Sequence, residues 1–365
     1  MRVVIAGGGT GGHLFPGVAL ANEFQRQRPG TGILFVGTAG GLETRIIPRE
    51  GFELRLIPIG GWVGQGGFRK IKTVLQLPAG LWRSWRILTD VRPDLVIGVG
   101  GYASGPVVAM AGVMRLRRVL VEPNAVPGLT NRLLGSWVDR IYLSFEETRR
   151  WFRDRGAAGS IRVFGNPVRR DILSAGQGPS KNAPKSTLLV MGGSRGSRAL
   201  NRAMIEALAG LDAVKTTIRI VHQSGERDAG WLEEKYAVGG FEAVVTPFLS
   251  PVSEAYRAAD LVVCRSGATT VAELTACGRP SILIPFPFAT HGHQEKNARA
   301  LADAGAAELI LERDLTGERL AKTITTLLAQ PTLLGRMSER SRRLGRPDAA
   351  EKIVNDCLGL IGHVW

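Results

Sequence analysis

The chain has 365 residues, 44% hydrophobic and 22% charged, a globular balance with length for two cores, since single cores rarely grow past roughly 250–300 residues. Its formal charge is +15, and residues 1–165 hold 22 of the 47 Lys and Arg but only 11 of the 32 Asp and Glu, so the N-terminal half predicts an anionic partner: nucleic acid, acidic lipid or a phosphorylated substrate. Cys264, Cys277 and Cys357 make no disulfide framework or metal-ligand spacing, and no run approaches the roughly 18 apolar residues of a spanning helix, which excludes stapled and membrane-spanning classes.

Met1-Arg-Val-Val-Ile-Ala6 enters a strand at once, leaving no room for a signal peptide and predicting a protein of the cytosol or the cytosolic membrane face. The strand runs into Gly7-Gly-Gly-Thr-Gly-Gly-His13, and Pro16 with Val18, Leu20, Ala21 and Phe24 predicts a helix behind it. No acidic residue closes the next strand, Gly32–Thr38, as a dinucleotide site requires, and no Gly-Lys-Ser/Thr makes a P-loop. What remains is a glycine loop that lets a ligand approach the backbone, with His13 on its rim. Histidine as a residue type titrates near neutrality, so His13 reads either as a general base or as a histidine hydrogen-bonded within its own helix start.

Gly60–Gly67 is glycine-rich and leads into Phe68-Arg-Lys-Ile-Lys72 and a helix over Leu75–Leu88. Trp82 and Trp85 lie three apart beside Arg83 and Arg86, which suits a membrane interface or, equally, a helix whose tryptophans pack on the core. Asp94–Pro106 and Arg118–Gly128 repeat the strand, turn and helix pattern, with Ser104 expected as a cap and Glu122 and Asn124 at a strand's C-terminal end. Strands follow at Ile141–Ser144 and from Ile161, and Ser174–Ser186 has linker composition. A fresh series of βα units starts at Thr187 and presents Ser194 after its first strand. Its central stretch is Leu261-Val-Val-Cys-Arg-Ser-Gly-Ala-Thr-Thr-Val-Ala-Glu273: a buried strand, a turn, and a helix that Thr269 and Thr270 are expected to cap. Phosphate at that turn and ribose on Glu273 would together make a nucleotide site. Gln294 and Asn297 open a later helix; His291 and His293 lack a third ligand, so no metal is expected, and Pro347–Leu358 is a last helix. The fold class is α/β, with two doubly wound, Rossmann-like domains facing across a cleft and ligands at the strand ends.

Taken together, Gly7–Gly17, Gly100-Gly-Tyr-Ala-Ser-Gly-Pro106, Gly165-Asn-Pro-Val-Arg169, Gly192-Gly-Ser-Arg-Gly196 and Cys264–Glu273 resemble the GT-B glycosyltransferases, specifically those that add N-acetylglucosamine to a lipid-linked muramoyl-pentapeptide. The resemblance runs over essentially the whole chain. It implies an acceptor- and membrane-binding domain over 1–165, a hinge and linker over 166–186, a donor domain over 187–346 and a C-terminal helix over 347–365. UDP-N-acetylglucosamine would meet Ser194 and the turn at Ala268, Thr269 and Thr270 with its diphosphate, with Val271 and Ala272 following. Glu273 would take its ribose, Leu249 its uracil and Gln294 its sugar hydroxyls, with Arg169 approaching from the hinge. Thr10, Gly11 and Gly12 would lie near the diphosphate of undecaprenyl-linked muramoyl-pentapeptide, with Asn124 beside it. The family's His-Glu-Gln-Asn is Val121-Glu-Pro-Asn124 here, so no role of the missing His or Gln carries over. Inverting transfer follows, with His13 as base and Glu122 the lesser candidate, and no metal or cofactor is expected because helix N-termini and Arg169 can meet the leaving charge. Phe68, Trp82 and Trp85 would meet an anionic cytoplasmic membrane surface. A nucleotide-sugar:diacylglycerol transferase, a nucleotide-sugar epimerase and a nucleic-acid-binding protein are the rivals, the last disfavoured because the positive residues are dispersed and no aromatic-basic recognition motif occurs, so no nucleic-acid partner is expected.

Overall fold

The structure is a computed structural model that describes residues 1–60, 67–152, 160–176, 184–193, 196–289 and 292–362, with only the backbone described over 67–75. Ser194 and His291 therefore lie outside the described residues, as does the side chain of Phe68. The chain divides into two compact units, Met1–Arg169 with Pro347–Trp365, and Arg170–Arg346.

In chain order the first unit holds β1 (Arg2–Gly7), α1 (Gly11–Gln27), β2 (Gly32–Gly37), α2 (Glu43–Arg49), β3 (Glu53–Leu56), α3 (Gly67–Val91), β4 (Leu95–Gly100), α4 (Ser104–Val113), β5 (Arg118–Glu122), α5 (Leu129–Leu134), β6 (Arg140–Leu143) and β7 (Ile161–Val163). The second holds α6 (Arg170–Ala175), β8 (Ser186–Met191), α7 (Arg198–Leu211), β9 (Ile218–Gln223), α8 (Ala229–Val238), β10 (Ala243–Thr246), α9 (Val252–Ala258), β11 (Leu261–Cys264), α10 (Ala268–Cys277), β12 (Ser281–Leu283), α11 (His293–Asp303), β13 (Ala307–Leu309), α12 (Gly317–Leu328) and α13 (Pro331–Leu344). The C-terminal α14 (Ala349–Gly362) returns to the first unit.

Both sheets are parallel throughout. The first has the order β3-β2-β1-β4-β5-β6-β7 and the second β10-β9-β8-β11-β12-β13. Strands covered on both faces read as continuous apolar runs, and Val3, Val4, Ile5 and Ala6 of β1 and Leu261 to Cys264 of β11 are each at most 1% exposed. Each unit is Rossmann-like, and in each the strand order reverses once, between β1 and β4 and between β8 and β11. At that reversal the loops leave the sheet in opposite directions and open a crevice at the strands' C-terminal ends.

Helix faces follow the same logic. From Gly80 on, α3 buries Gly80, Ser84, Ile87 and Leu88, a one-sided stripe, and the Ser84 hydroxyl donates back to Gly80 O at 2.7 Å. Trp82 and Trp85 fall on the opposite side, 54% and 46% exposed, so the alternative that they pack on the core does not hold. The Arg86 guanidinium lies 5.1 Å from the Trp82 ring centre. α14 docks through Tyr142, whose hydroxyl donates to Asp356 Oδ2 at 2.8 Å and lies 3.3 Å from Cys357 Sγ. No helix among the described residues is long and apolar enough to cross a membrane.

Two expected caps are corrected. α10 is capped by the backbone of Gly267 with no side-chain bond, and Thr269 and Thr270 stand inside its first turn. α4 has Ala103 at its cap position, and the Ser104 hydroxyl is buried beneath Gly98 without a hydrogen-bond partner among the described residues.

Candidate active site

In the first unit the candidate residues Thr10 to His13 lie on the β1 loop, against the β4 loop at the sheet reversal. Thr10 takes the extended conformation of an N-cap, φ −133° and ψ 158°, but its hydroxyl lies 3.3 Å from His13 Nδ1 rather than on a backbone amide. His13 and Leu14 N–H both donate to Thr10 O at 3.2 Å. The imidazole rests on Gly100, where a Cβ would stand 2.7 Å from its Cδ2. Gly101, at φ +79°, brings the β4 loop so close to the β1 loop that its own Cβ would stand 2.5 Å from Gly8 O. Glycines at these positions put two backbones and the histidine ring in one place. α1 starts with no acidic residue in its first turn and no side-chain cap, which leaves its positive end suited to an anion.

Glu122 ends β5 and is 1% exposed. Its Oε1 accepts from Asn124 N at 2.9 Å and Nδ2 at 3.2 Å, and its Oε2 from Gly128 N at 3.0 Å and Asn131 Nδ2 at 2.9 Å. Burial raises its carboxyl above the usual range, and the four donors oppose the shift. The group thus organises the 122–131 loop and aims Asn124, whose carbonyl accepts from the Thr148 hydroxyl at 3.2 Å. Arg169, the last residue of the first segment, lies over the Phe15 ring at 4.7 Å and 3.6 Å from Glu50 Oε1.

The second unit repeats the arrangement at its own reversal. β11 ends at Cys264, and Arg265-Ser266-Gly267 turns the chain into α10, which has no acidic residue in its first turn. Ala268, Thr269, Thr270, Val271 and Ala272 form that first turn and a half. The turn is held by α11: Ser266 Oγ donates to Gln294 O at 2.9 Å and Asn297 Nδ2 donates to Ser266 O at 3.1 Å. The Gln294 side-chain oxygen accepts Phe286 N–H at 2.9 Å, which presents its amide nitrogen on the same edge. Glu273 is 8% exposed, and one of its oxygens accepts the Tyr256 hydroxyl at 3.0 Å. Burial and the nearby carboxylate push the Tyr256 phenol far up, so it serves as a donor throughout the working range. Leu249 lies half-buried beyond β10, in a loop fastened to β9 by the Gln223 amide on Pro247 O at 2.9 Å.

Sequence reasoning missed the residue that ties this edge together. The Arg265 guanidinium donates to Ile284 O and Pro285 O at 3.1 Å and to Ser197 Oγ at 2.6 Å, and it pairs with Glu312. It thereby joins the end of β12, the cap of α7 and the turn before α10. A cation directly after a four-residue buried strand was the available signal. A second missed network lies below: His222 Nδ1 is 2.7 Å from the Tyr236 hydroxyl and Nε2 is 3.1 Å from Asn201 Oδ1, while Asn201 Nδ2 donates to Ser224 O at 3.0 Å.

The family described as Glycosyltransferase family 28 N-terminal domain matches residues 3–143, and Glycosyltransferase family 28 C-terminal domain matches residues 187–353. The chain belongs to glycosyltransferase family 28. Among curated family members, the UDP-N-acetylglucosamine--N-acetylmuramyl-(pentapeptide) pyrophosphoryl-undecaprenol N-acetylglucosamine transferase of Anaeromyxobacter sp. (strain K) is 48% identical, covering 100% of this chain and 94% of the relative. Its counterpart from Syntrophus aciditrophicus (strain SB) is 46% identical, with 99% of both chains covered. The crystal structure of Acinetobacter baumannii MurG is 29% identical with a TM-score of 0.72, covering 97% of this chain and 98% of that one. A putative UDP-N-acetylglucosamine 2-epimerase from Listeria monocytogenes, 15% identical with a TM-score of 0.71 and covering 100% and 97%, shares the fold alone. The two Rossmann-like units of this family 28 member are those of the GT-B fold.

Proposed function

We propose that this chain is an inverting glycosyltransferase that moves N-acetylglucosamine from UDP-N-acetylglucosamine to undecaprenyl-pyrophosphoryl-N-acetylmuramoyl-pentapeptide in peptidoglycan synthesis. The observation that carries the reading is similarity along the full length of both chains to relatives named for that transfer. The loops supply the chemistry. In the second unit the α10 N-terminus takes the donor diphosphate and the developing charge on UDP, Glu273 the ribose, Gln294 the sugar hydroxyls and the Leu249 loop the uracil, with Ser194, which follows β8 in the sequence, as a further diphosphate contact. In the first unit the Thr10–Gly12 loop takes the acceptor diphosphate, and Arg169, held over Phe15, adds positive charge for the donor.

The acceptor hydroxyl attacks the anomeric carbon and loses its proton while the bond to the UDP oxygen breaks. A direct displacement inverts the α-linked donor to a β-linked product and needs no covalent nucleophile. His13 is the base, its ring turned with Nδ1 toward the Thr10 hydroxyl. Glu122 has both oxygens committed to four donors and acts by shaping the Asn124 loop. A peripheral position on the anionic cytoplasmic face of the membrane, beside the lipid-linked acceptor, is supported by the exposed Trp82 and Trp85, with Arg83, Arg86 and Phe68 on the same helix.

This division of labour is tested by two variants. His13→Ala should lower turnover by about 10²–10⁴-fold with UDP affinity intact, as expected for loss of a general base. Glu273→Ala should weaken UDP binding in calorimetry. Near-normal turnover in His13→Ala would remove the histidine from the mechanism, and unchanged UDP affinity in Glu273→Ala would remove the donor assignment of α10.

A further inference from the structure

One buried carboxylate belongs to no role assigned so far. Glu43, the first residue of α2, is 1% exposed and lies behind the β1 glycine loop. Its Oε2 accepts Gly9 N–H at 2.8 Å, and its Oε1 accepts Thr38 N–H at 2.8 Å and the Thr38 hydroxyl at 3.0 Å. The socket is built for this group. A Cβ at Gly8 or Gly41 would overlap the carboxylate, and one at Gly37 would stand 2.5 Å from the Glu43 Cγ. Gly8 in the β1 loop, Gly37 at the end of β2 and Gly41 in the loop after it thus leave room for a single side chain that bridges the two loops. No neutral side chain can replace it fully: one oxygen must accept from the β1 loop while the other accepts from the β2 loop, and an amide offers only one acceptor.

The consequence runs along the chain. Gly9 immediately precedes Thr10, the N-cap of α1, whose hydroxyl lies against His13 Nδ1. Fixing the Gly9 amide fixes the direction in which the chain enters α1, and with it the placement of His13 over Gly100. We propose that Glu43 is a positioning residue for transfer: it holds the β1 glycine loop through Gly9 so that Thr10 and His13 keep the geometry proton removal requires. This rests on the reading of His13 as the base. A misplacement near 1 Å in such a group costs about 10²-fold in rate.

The test is a double-mutant cycle on the full chain, with labelled N-acetylglucosamine transfer from the UDP donor to a short-chain muramoyl-pentapeptide lipid analogue as the readout. Glu43→Gln should lower kcat 10- to 100-fold with the KM for the donor unchanged. In a His13→Ala background the same substitution should cost less than 3-fold, because the group it positions is gone. Asp94→Asn is the control: Asp94 Oδ2 accepts Arg2 N–H at 2.7 Å at the opposite end of β1, and its loss should leave kcat unchanged. An equal loss from Glu43→Gln in both backgrounds would make Glu43 merely structural and overturn the proposal, as would wild-type kcat in Glu43→Gln. If that variant does not fold, Thr38→Val, which removes one donor and leaves the socket, takes its place in the cycle with a smaller expected loss of about 3-fold, and the absence of coupling to His13 would again overturn the proposal. Failure of the wild-type chain to transfer at all, or full turnover in His13→Ala, strikes instead at the underlying reading of function and is scored separately.

Discussion

Acid should loosen the second unit through a single buried histidine. His222 is fully buried, and burial lowers its pKa from near 6.5 to about 3, with Asp228 opposing the shift. Asn201 Nδ2 donates to Ser224 O and to Asp228 Oδ2, at 3.0 and 2.8 Å, so Asn201 Oδ1 faces the ring, Nε2 carries the proton and Nδ1 accepts the Tyr236 hydroxyl. The neutral ring is therefore satisfied at both nitrogens. Between pH 3 and 6.5 the unfolded chain binds a proton that the folded chain does not, so the contribution present above pH 6.5 is lost as pH falls toward 3. From pH 7.5 to 5.0 the loss amounts to about 2 kcal/mol. Urea unfolding followed at a probe in α8 should show that fall in the wild type. His222→Gln, which cannot titrate, should lower stability at pH 7.5 but show a pH dependence flatter by about the same 2 kcal/mol. Because Asn201 and Ser224 sit under the turn containing Gly196, where a Cβ would collide with Ser224 O, UDP affinity should weaken in parallel with acid. Equal pH slopes in wild type and His222→Gln would refute the argument.

Other outcomes follow from the same geometry. Gly101→Ala forces a side chain onto a residue at φ +79° and pushes its Cβ against Gly8 O, so it should cost at least about 1–3 kcal/mol in thermal unfolding and lower kcat; a wild-type melting temperature would contradict the close approach of the two loops. Arg265→Lys keeps the charge but cannot reach two carbonyls, the Ser197 hydroxyl and Glu312 together; a loss of about 2–3 kcal/mol and weaker UDP binding are expected, and an unchanged urea midpoint would deny it a tying role. Trp82→Ser with Trp85→Ser should reduce sedimentation with anionic vesicles about tenfold and change folding stability by less than about 0.5 kcal/mol, since both rings are exposed; unchanged sedimentation would remove them from the membrane contact.

Most of the fold was legible because a parallel sheet covered on both faces writes itself as short apolar runs. Val3–Ala6 and Leu261–Cys264 are such runs, and both prove to be inner strands beside the reversals. The edge strands β3 and β13 were not readable: Glu53-Leu-Arg-Leu56 is half-exposed and carries charges, and Ala307–Leu309 has three residues. The caps at Thr269 and Ser104 failed because the backbone of Gly267 and Ala103 occupies those positions, which residue type alone does not reveal. Candidate residues on glycine loops could be named from sequence, whereas the side chains that hold those loops could not. Glu43 gains its role from Gly9, 34 residues away, and Arg265 from Ser197, 68 residues away. Such contacts exist only once the sheet order is set.

The most direct test of the central claim is an acceptor choice. Labelled UDP-N-acetylglucosamine would be offered together with a short-chain muramoyl-pentapeptide pyrophosphoryl lipid, with diacylglycerol, or with water alone. A single β-linked product on the muramoyl lipid is expected, with UDP released in equal amount. Transfer to diacylglycerol in its place, or epimerisation of the donor without transfer, would contradict it.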